Sequence, residues 1–114
     1  MKTLLQSEQA QFLTKNVTCS IVRESGEKIT GSVEDICLNG IGIVLSYEIE
    51  TGSKISIFIK HRTQVAQMMG VVKYCHEHND AIGCLRVGCN LLPLERINSR
   101  IWQSWCEMVQ DIAA

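Results

Sequence analysis

The residues with the most chemistry to offer stand in one short run, Glu34-Asp35-Ile36-Cys37-Leu38-Asn39-Gly40. Asp35 brings an acceptor-only carboxylate, Asn39 an amide that donates and accepts, and Cys37 a thiol that does both weakly. Asn39-Gly40 is a turn dipeptide that tolerates left-handed backbone. Gly40 and Gly42 also allow the main chain to approach a ligand or a neighbouring strand closely. By residue type the run reads in two ways. Asp35 can accept hydrogen bonds from a ligand's N–H groups, or from the amides of its own turn.

Other groupings carry weaker chemistry. Cys75, His76, His78, Cys84 and Cys89 hold nitrogen and sulfur atoms suited to zinc. However, Cys75 and His78, like Cys84 and Cys89, are an odd number of residues apart, which on a strand sends side chains to opposite faces unless a bulge intervenes. No metal site is expected, and neither is an enzyme, because no nucleophile, base and orienting group can be assembled. Lys60-His61-Arg62 forms a small basic cluster that reads as a solvated loop. Arg96 and Arg100 share one helical face at i, i+4 and read as solvated charges. Arg23 is the one arginine upstream of Asp35.

The elements that must position these residues are mostly strands. VTCSIVR (17–23), KITGSVEDIC (28–37), IGIVL (41–45), KISIFIK (54–60), VAQMMGVVKYCHEH (65–78) and AIGCLRVGCNLL (81–92) are β-like segments. Turn signals at ESGE (24–27), LNG (38–40), ETGS (50–53) and ND (79–80) separate several of them. Ile55, Ile57 and Ile59 should face one way. Gly70 marks either a bulge or a close approach, and Gly83 and Gly88 mark bends. Pro93 suits the start of a terminal helix with an apolar stripe of Ile97, Ile101, Trp105, Met108 (or Val109) and Ile112. Trp102 should be partly buried, leaving it and Ile101 as a contact for a partner or a second copy. The fold class expected is mainly β: a six-stranded antiparallel barrel over 17–114 with a C-terminal α-helix, preceded by an arm or short helix over 1–16.

Composition bounds the partners. The 114 residues carry 11 Lys+Arg against 12 Asp+Glu, a net charge of −1, which argues against binding bulk nucleic acid. The chain is 46% hydrophobic with a single Pro, so it should fold as one domain rather than stay disordered. Polar residues from Gln6 onward interrupt any secretory h-region, and no apolar run is long enough to span a membrane. The six cysteines form no C-x-x-C pair. A cytoplasmic protein with reduced, mostly buried thiols is expected.

Asp35-x-Cys37-x-x-Gly40, followed by IGIVL, resembles the D/N-x-S-x-x-G signature of PilZ domains, small bacterial β-barrels of which many are receptors for cyclic di-GMP. Gly70-Val71-Val72-Lys73-Tyr74 and Arg86-Val87-Gly88-Cys89-Asn90-Leu91 resemble later strands of that family, so the likeness runs from about residue 17 to 110. It implies a ligand site built on Arg23, Asp35, Cys37, Asn39 and Gly40. The sequence departs from the pattern in two places. Cys37 replaces the serine, and a thiol bonds more weakly than a hydroxyl. The R-x-x-x-R that receptors carry ahead of the barrel, whose guanidinium groups grip phosphate and guanine, is missing: residues 8–15 read EQAQFLTK, with Lys15 the only cation. The resemblance therefore implies a divergent adaptor of cyclic di-GMP signalling with weak or no nucleotide binding. It would contact a protein of the motility, pilus or adhesion machinery, with a homodimer as a further expectation and no cofactor. The alternatives are an orthodox cyclic di-GMP receptor with an atypical pocket and, less favoured, a thiol or metal sensor.

Overall fold

Runs of β-branched residues broken by turn dipeptides give six strands: β1 (Val17–Arg23), β2 (Lys28–Cys37), β3 (Gly40–Leu45), β4 (Lys54–His61), β5 (Gln64–Glu77) and β6 (Leu85–Leu91), followed by helix α1 (Arg96–Ala113). The computed structural model describes residues 17–80, 82–93 and 95–113; the arm or helix expected over 1–16 lies outside them. The strands close into a barrel in the order β1-β2-β3-β6-β5-β4, every pair antiparallel. Closure removes the free edges that a six-stranded open sheet would expose.

Two strands are too long for one partner. β2 pairs with β1 through Lys28–Gly31 and with β3 through Ser32–Cys37. β5 has 14 residues, pairing with β4 through Gln64–Val71 and with β6 through Gly70–Glu77. Gly70 is where β5 changes partner, facing both Ile55 and Leu91. A Cβ there would lie 3.1 Å from Ile57 Cδ1, so Gly70 is a close approach. The bulge sits three residues on, at Lys73, where the β5–β6 register slips between Val72 and Tyr74. A second bulge, at Glu34, falls between Val33 and Asp35.

The inward faces build the core. Ile55, Ile57 and Ile59 are buried as their alternation requires, together with Ile21, Ile43, Leu45, Val72 and Val87. Each such side chain contributes about 1.5–3 kcal/mol of apolar burial. β6 is shorter than the expected 81–92, because Gly83 takes a left-handed φ of 81° and holds a turn ahead of it. Gly88 is no bend; it lies within β6, in register with Gly42 and Tyr74.

Helix α1 covers the end of the barrel where β2 and β4 finish and β1 and β5 begin. It starts three residues after Pro93, with the Glu95 carbonyl accepting from Ser99 N–H at 2.7 Å. The first half of β5 has only β4 beside it, and the chain around the helix start caps its exposed edge: Gln67 N–H donates to Asn98 Oδ1 at 3.0 Å, and Met69 O accepts from Leu92 N–H at 2.9 Å. Among the described side chains the buried helix face departs from the expected stripe at Trp102, Cys106 and Met108. It is made by Trp102, Trp105 and Cys106, with Ile101 half-buried and Met108 37% exposed; the side chains of Ile97, Val109 and Ile112 lie outside the described residues. Trp102 is 1% exposed instead of partly buried. An indole carries a large apolar area into a core when its N–H finds an acceptor, and both do here. Trp102 Nε1 donates to the Cys37 carbonyl and Trp105 Nε1 to Gln64 Oε1, both at 3.0 Å, and the two rings meet edge to face at 6.2 Å.

Replacing Trp102 with Phe removes the donor to Cys37 and part of a filled volume, a loss of about 2–3 kcal/mol. Thermal unfolding followed by circular dichroism should show the midpoint fall by about 10 °C; an unchanged midpoint would show that the helix is not anchored through this side chain.

Candidate functional site

Four strands bring one residue each into a row across the outer barrel wall: Asp35 on β2, Gly42 on β3, Gly88 on β6 and Tyr74 on β5. The two glycines make a floor without side chains. A Cβ on Gly42 would lie 2.5 Å from Arg86 Nη2 and 2.6 Å from Asp35 Oδ1, and a Cβ on Gly88 would overlap the Tyr74 ring. Long side chains from the flanking positions therefore lie flat over β3 and β6.

Arg86 is the centre of the cluster. Its Nη2 donates to Asp35 Oδ2 at 2.7 Å, its Nη1 to Glu34 Oε1, and its Nε to the Tyr74 hydroxyl at 3.0 Å. The guanidinium carbon stands 6.0 Å from the Tyr74 ring centroid, and that ring stacks on His76 at 5.0 Å. The bulge on β2 makes the double contact feasible, because an extra residue lets neighbours Glu34 and Asp35 reach the same guanidinium. Glu34 also accepts from His78 Nε2. His78 Nδ1 accepts from Asp80 N–H at 3.0 Å, which leaves Nε2 as the donor to Glu34.

The charges are mutually compensated. Burial works against ionisation of Glu34, but hydrogen bonds from His78 and Arg86 and the positive charge of Arg86 prevail, leaving its carboxyl below the usual range. Burial likewise works against the charge on Arg86, and its bonds to Asp35 and Tyr74 outweigh it, holding the guanidinium more firmly protonated than a free arginine. The Arg86 side chain is 18% exposed and that of Asp35 53%, so this is a cluster at the surface rather than a buried pair.

The predicted site residues separate. Asp35, Cys37, Asn39 and Gly40 stay together at the β2–β3 turn. Cys37 is exposed and lends its carbonyl to Trp102; the Asn39 carbonyl accepts from Leu91 N–H at 2.9 Å. Neither Asn39 nor Gly40 uses a left-handed φ. Gly40 is needed for space, since a Cβ would stand 3.0 Å from the Cys89 carbonyl. The structure does not bring Arg23 to this turn. It lies at the far end of β2, about 23 Å along the strand from Asp35, and pairs with Glu27 at 3.3 Å across the β1–β2 hairpin. Lys15 lies outside the described residues, and Arg100 is exposed on α1. Of the suspected metal set, Cys89 is buried in the core, His76 stacks on Tyr74 and His78 holds Glu34; among the described residues no three His, Cys, Asp or Glu side chains are grouped to hold a metal. Tyr74 and Arg86 are not singled out from the sequence as site residues; Glu34 is read only as part of the turn run, and His78 only within the zinc set. The contacts of His78 and Arg86 to Glu34 and Asp35 span 44 to 52 residues, and only the small residues Gly42 and Gly88 hint that something large lies across these strands.

Glu34 should mark the acid limb of stability. Its folded carboxyl lies below the ordinary value of 4.5, so its contribution is present above that pH and is lost as pH falls through the folded value. Urea unfolding of the wild type should weaken between about pH 5 and pH 3, and Glu34→Gln should flatten that limb by an amount under about 1 kcal/mol, given its exposure. Parallel acid limbs in the two proteins would mean that Glu34 gains nothing from Arg86 and His78.

A family model described as PilZ domain matches residues 8–107. No match was found among curated proteins. Among solved structures, the Bacillus subtilis inhibitor of motility MotI/DgrA is similar at TM-score 0.67 and 16% identity, over 82% of this chain and 46% of that one. The PilZ domain with c-di-GMP of YcgR from Escherichia coli is similar at TM-score 0.68 and 16% identity, over 85% of this chain and 83% of that one. YcgR in complex with c-di-GMP is similar at 0.68 and 17%, over 85% and 42%. The chain thus spans less than half of MotI/DgrA and of the longer YcgR structure, and at these identities the likeness is one of fold. With the family match running over nearly the whole chain and the D-x-C-x-x-G turn standing between β2 and β3 of a six-stranded barrel, this chain belongs to the PilZ domain family.

Proposed function

We propose that this domain serves cyclic di-GMP signalling as a non-catalytic adaptor: it works by contacting another protein in the cytoplasm, and its own hold on the nucleotide is weak or absent. The observation that carries the reading is the bond from Arg86 to Asp35 across Gly42. The signature carboxylate is already bound to a guanidinium, and a ligand's N–H would have to displace a charge-assisted bond that is itself braced by Glu34 and Tyr74. Two sequence features point the same way. Residues 8–15 contain no arginine, and Cys37 offers a thiol where the signature has a hydroxyl. Likeness to a protein titled an inhibitor of motility favours a partner in the motility machinery, with pilus and adhesion proteins as related choices.

One observation favours a second reading, a receptor with an atypical pocket. Arg86 and Tyr74 lie side by side on a flat glycine floor, and a guanidinium that swung off Asp35 could meet a phosphate or a guanine edge while the tyrosine offered a stacking face. A thiol sensor has less support. Burial pushes the Cys19 thiol up to about 12, with Cys89 adding to it, and the Cys89 and Cys106 thiols up to about 11, so these three are poor nucleophiles at neutral pH.

Isothermal titration with cyclic di-GMP decides between the readings. The adaptor predicts no saturable heat at micromolar protein, for the wild type and for Asp35→Asn alike. Sub-micromolar binding that is lost in Asp35→Asn and in Arg86→Ala, both still folded, would replace the adaptor with the receptor.

A further inference from the structure

At the helix-covered end, the β4–β5 hairpin and α1 enclose a cleft of about 340 Å³ lined by His61, Arg62, Thr63, Gln64, Ser104, Trp105 and Met108. We propose that this cleft is where the domain receives its partner, and that the partner inserts an acidic side chain flanked by apolar ones. This deepens the adaptor reading and rests on it.

The chemistry of the lining is one-sided. Arg62 brings five N–H donors, Thr63 and Ser104 bring hydroxyls, and Gln64, whose carbonyl is engaged by Trp105, has its amide N–H groups left to give. Among the described residues no carboxylate lines the cleft. Glu107, on the same helix, accepts from Gln103 at 3.1 Å. The groove at the other end of the barrel is different: there Arg23 and Lys54 stand among Glu24 and Glu50, and the charges answer one another. Burial and the neighbouring Arg62 push the His61 imidazole down, so at neutral pH the positive charge within the cleft is that of Arg62.

The backbone supplies an independent observation. Arg62 has φ 59°, the one non-glycine residue with positive φ among those described. A side chain is strained there, and a two-residue hairpin loop more naturally takes Gly or Asn. The hairpin keeps a guanidinium at a strained position beside a cleft. It is braced there, because His61 meets Trp105 edge to face at 5.9 Å and Gln64 is held by the same indole.

The rim is apolar. Val65 is 50% exposed just beyond Gln64, and Met108 is 37% exposed on the helix side. A donor-rich cleft with an apolar rim fits a protein segment carrying Glu or Asp between aliphatic residues. A nucleic acid or an anionic membrane would call for a broad basic face, whereas the chain's net charge is −1 and the charged groups of this hairpin among the described residues are Lys60 and Arg62.

The test uses the whole chain and two probes, acetyl-Leu-Glu-Glu-Leu-amide and its Gln-for-Glu counterpart, with amide chemical shifts and tryptophan emission as readouts. The acidic peptide should give saturable shifts confined to residues 61–65 and 104–108, and the neutral peptide should bind at least about fivefold more weakly. Arg62→Gly keeps the left-handed turn while deleting the guanidinium; it should retain its thermal midpoint and lose about fivefold or more in affinity. Lys28→Gln, at the opposite end of the barrel, should bind the peptide as the wild type does. No saturable shift at millimolar peptide, equal binding of both peptides, undiminished binding by Arg62→Gly, or the same shifts reproduced by inorganic phosphate alone would each overturn the proposal. These outcomes are separable from the nucleotide titration: cyclic di-GMP binding at the β2–β3 turn would remove the adaptor reading while the peptide shifts at the hairpin stood, and absent peptide shifts would remove this cleft alone.

Discussion

Two strands of this barrel divide their length between their two neighbours, and most of its distinctive geometry follows from that constraint. β2 passes from β1 to β3 and β5 from β4 to β6. A strand that changes partner must bend, and each of these does so with help from local irregularity: a bulge at Glu34 in β2, and in β5 a bulge at Lys73 three residues beyond the glycine at the crossing. Bulges increase twist and re-aim side chains. Here one of them turns Glu34 and Asp35 toward a single arginine. The length of β5 also leaves its first half with a strand on one side only, an edge that Asn98 and Leu92 cover and that sets where α1 can lie.

The wall and the covered end meet at Cys37. Its residue position belongs to the signature turn, its carbonyl to the buried indole of Trp102, and the carboxylate two residues before it to Arg86. A shift of the helix would be felt at the turn through one hydrogen bond, and a change at the wall through two residues of strand. The ion cluster itself is a modest source of stability. Asp35 and Glu34 are more than a third exposed, where water screens their attraction to Arg86. Its stronger effect is on position: three hydrogen bonds from one guanidinium fix where Arg86, Glu34 and Tyr74 lie.

The two ends of the barrel differ in what they offer. The end that carries Arg23 is polar and internally neutralised, with Glu24 Oε1 accepting from the Lys54 amide and Glu27 pairing with Arg23. The end that carries α1 combines two buried indoles, a strained arginine and exposed Val65 and Met108. No helix among the described residues is long and apolar enough to cross a membrane.

Local pattern was sufficient for a good deal of this. Period-two alternation placed Ile55, Ile57 and Ile59 inward, turn dipeptides punctuated the strands within a residue or two at most ends, and the D-x-C-x-x-G run located the signature turn. Those features are written in neighbouring residues, so one chain suffices to read them. What tertiary structure decided was whatever depends on residues far apart in sequence. The company of Asp35 was set by strand order and a bulge, neither of which leaves a local signal, so Arg86 and Tyr74 emerged as site residues, and His78 as a partner of Glu34 rather than a zinc candidate, only from the fold. The helix face was set by the volume available at the barrel end, which takes in Trp102 and Cys106 beside Trp105 although periodicity alone did not select them. Arg23 was the nearest arginine along the chain, but an antiparallel hairpin carries it to the opposite end of β2, and proximity in sequence became distance in space.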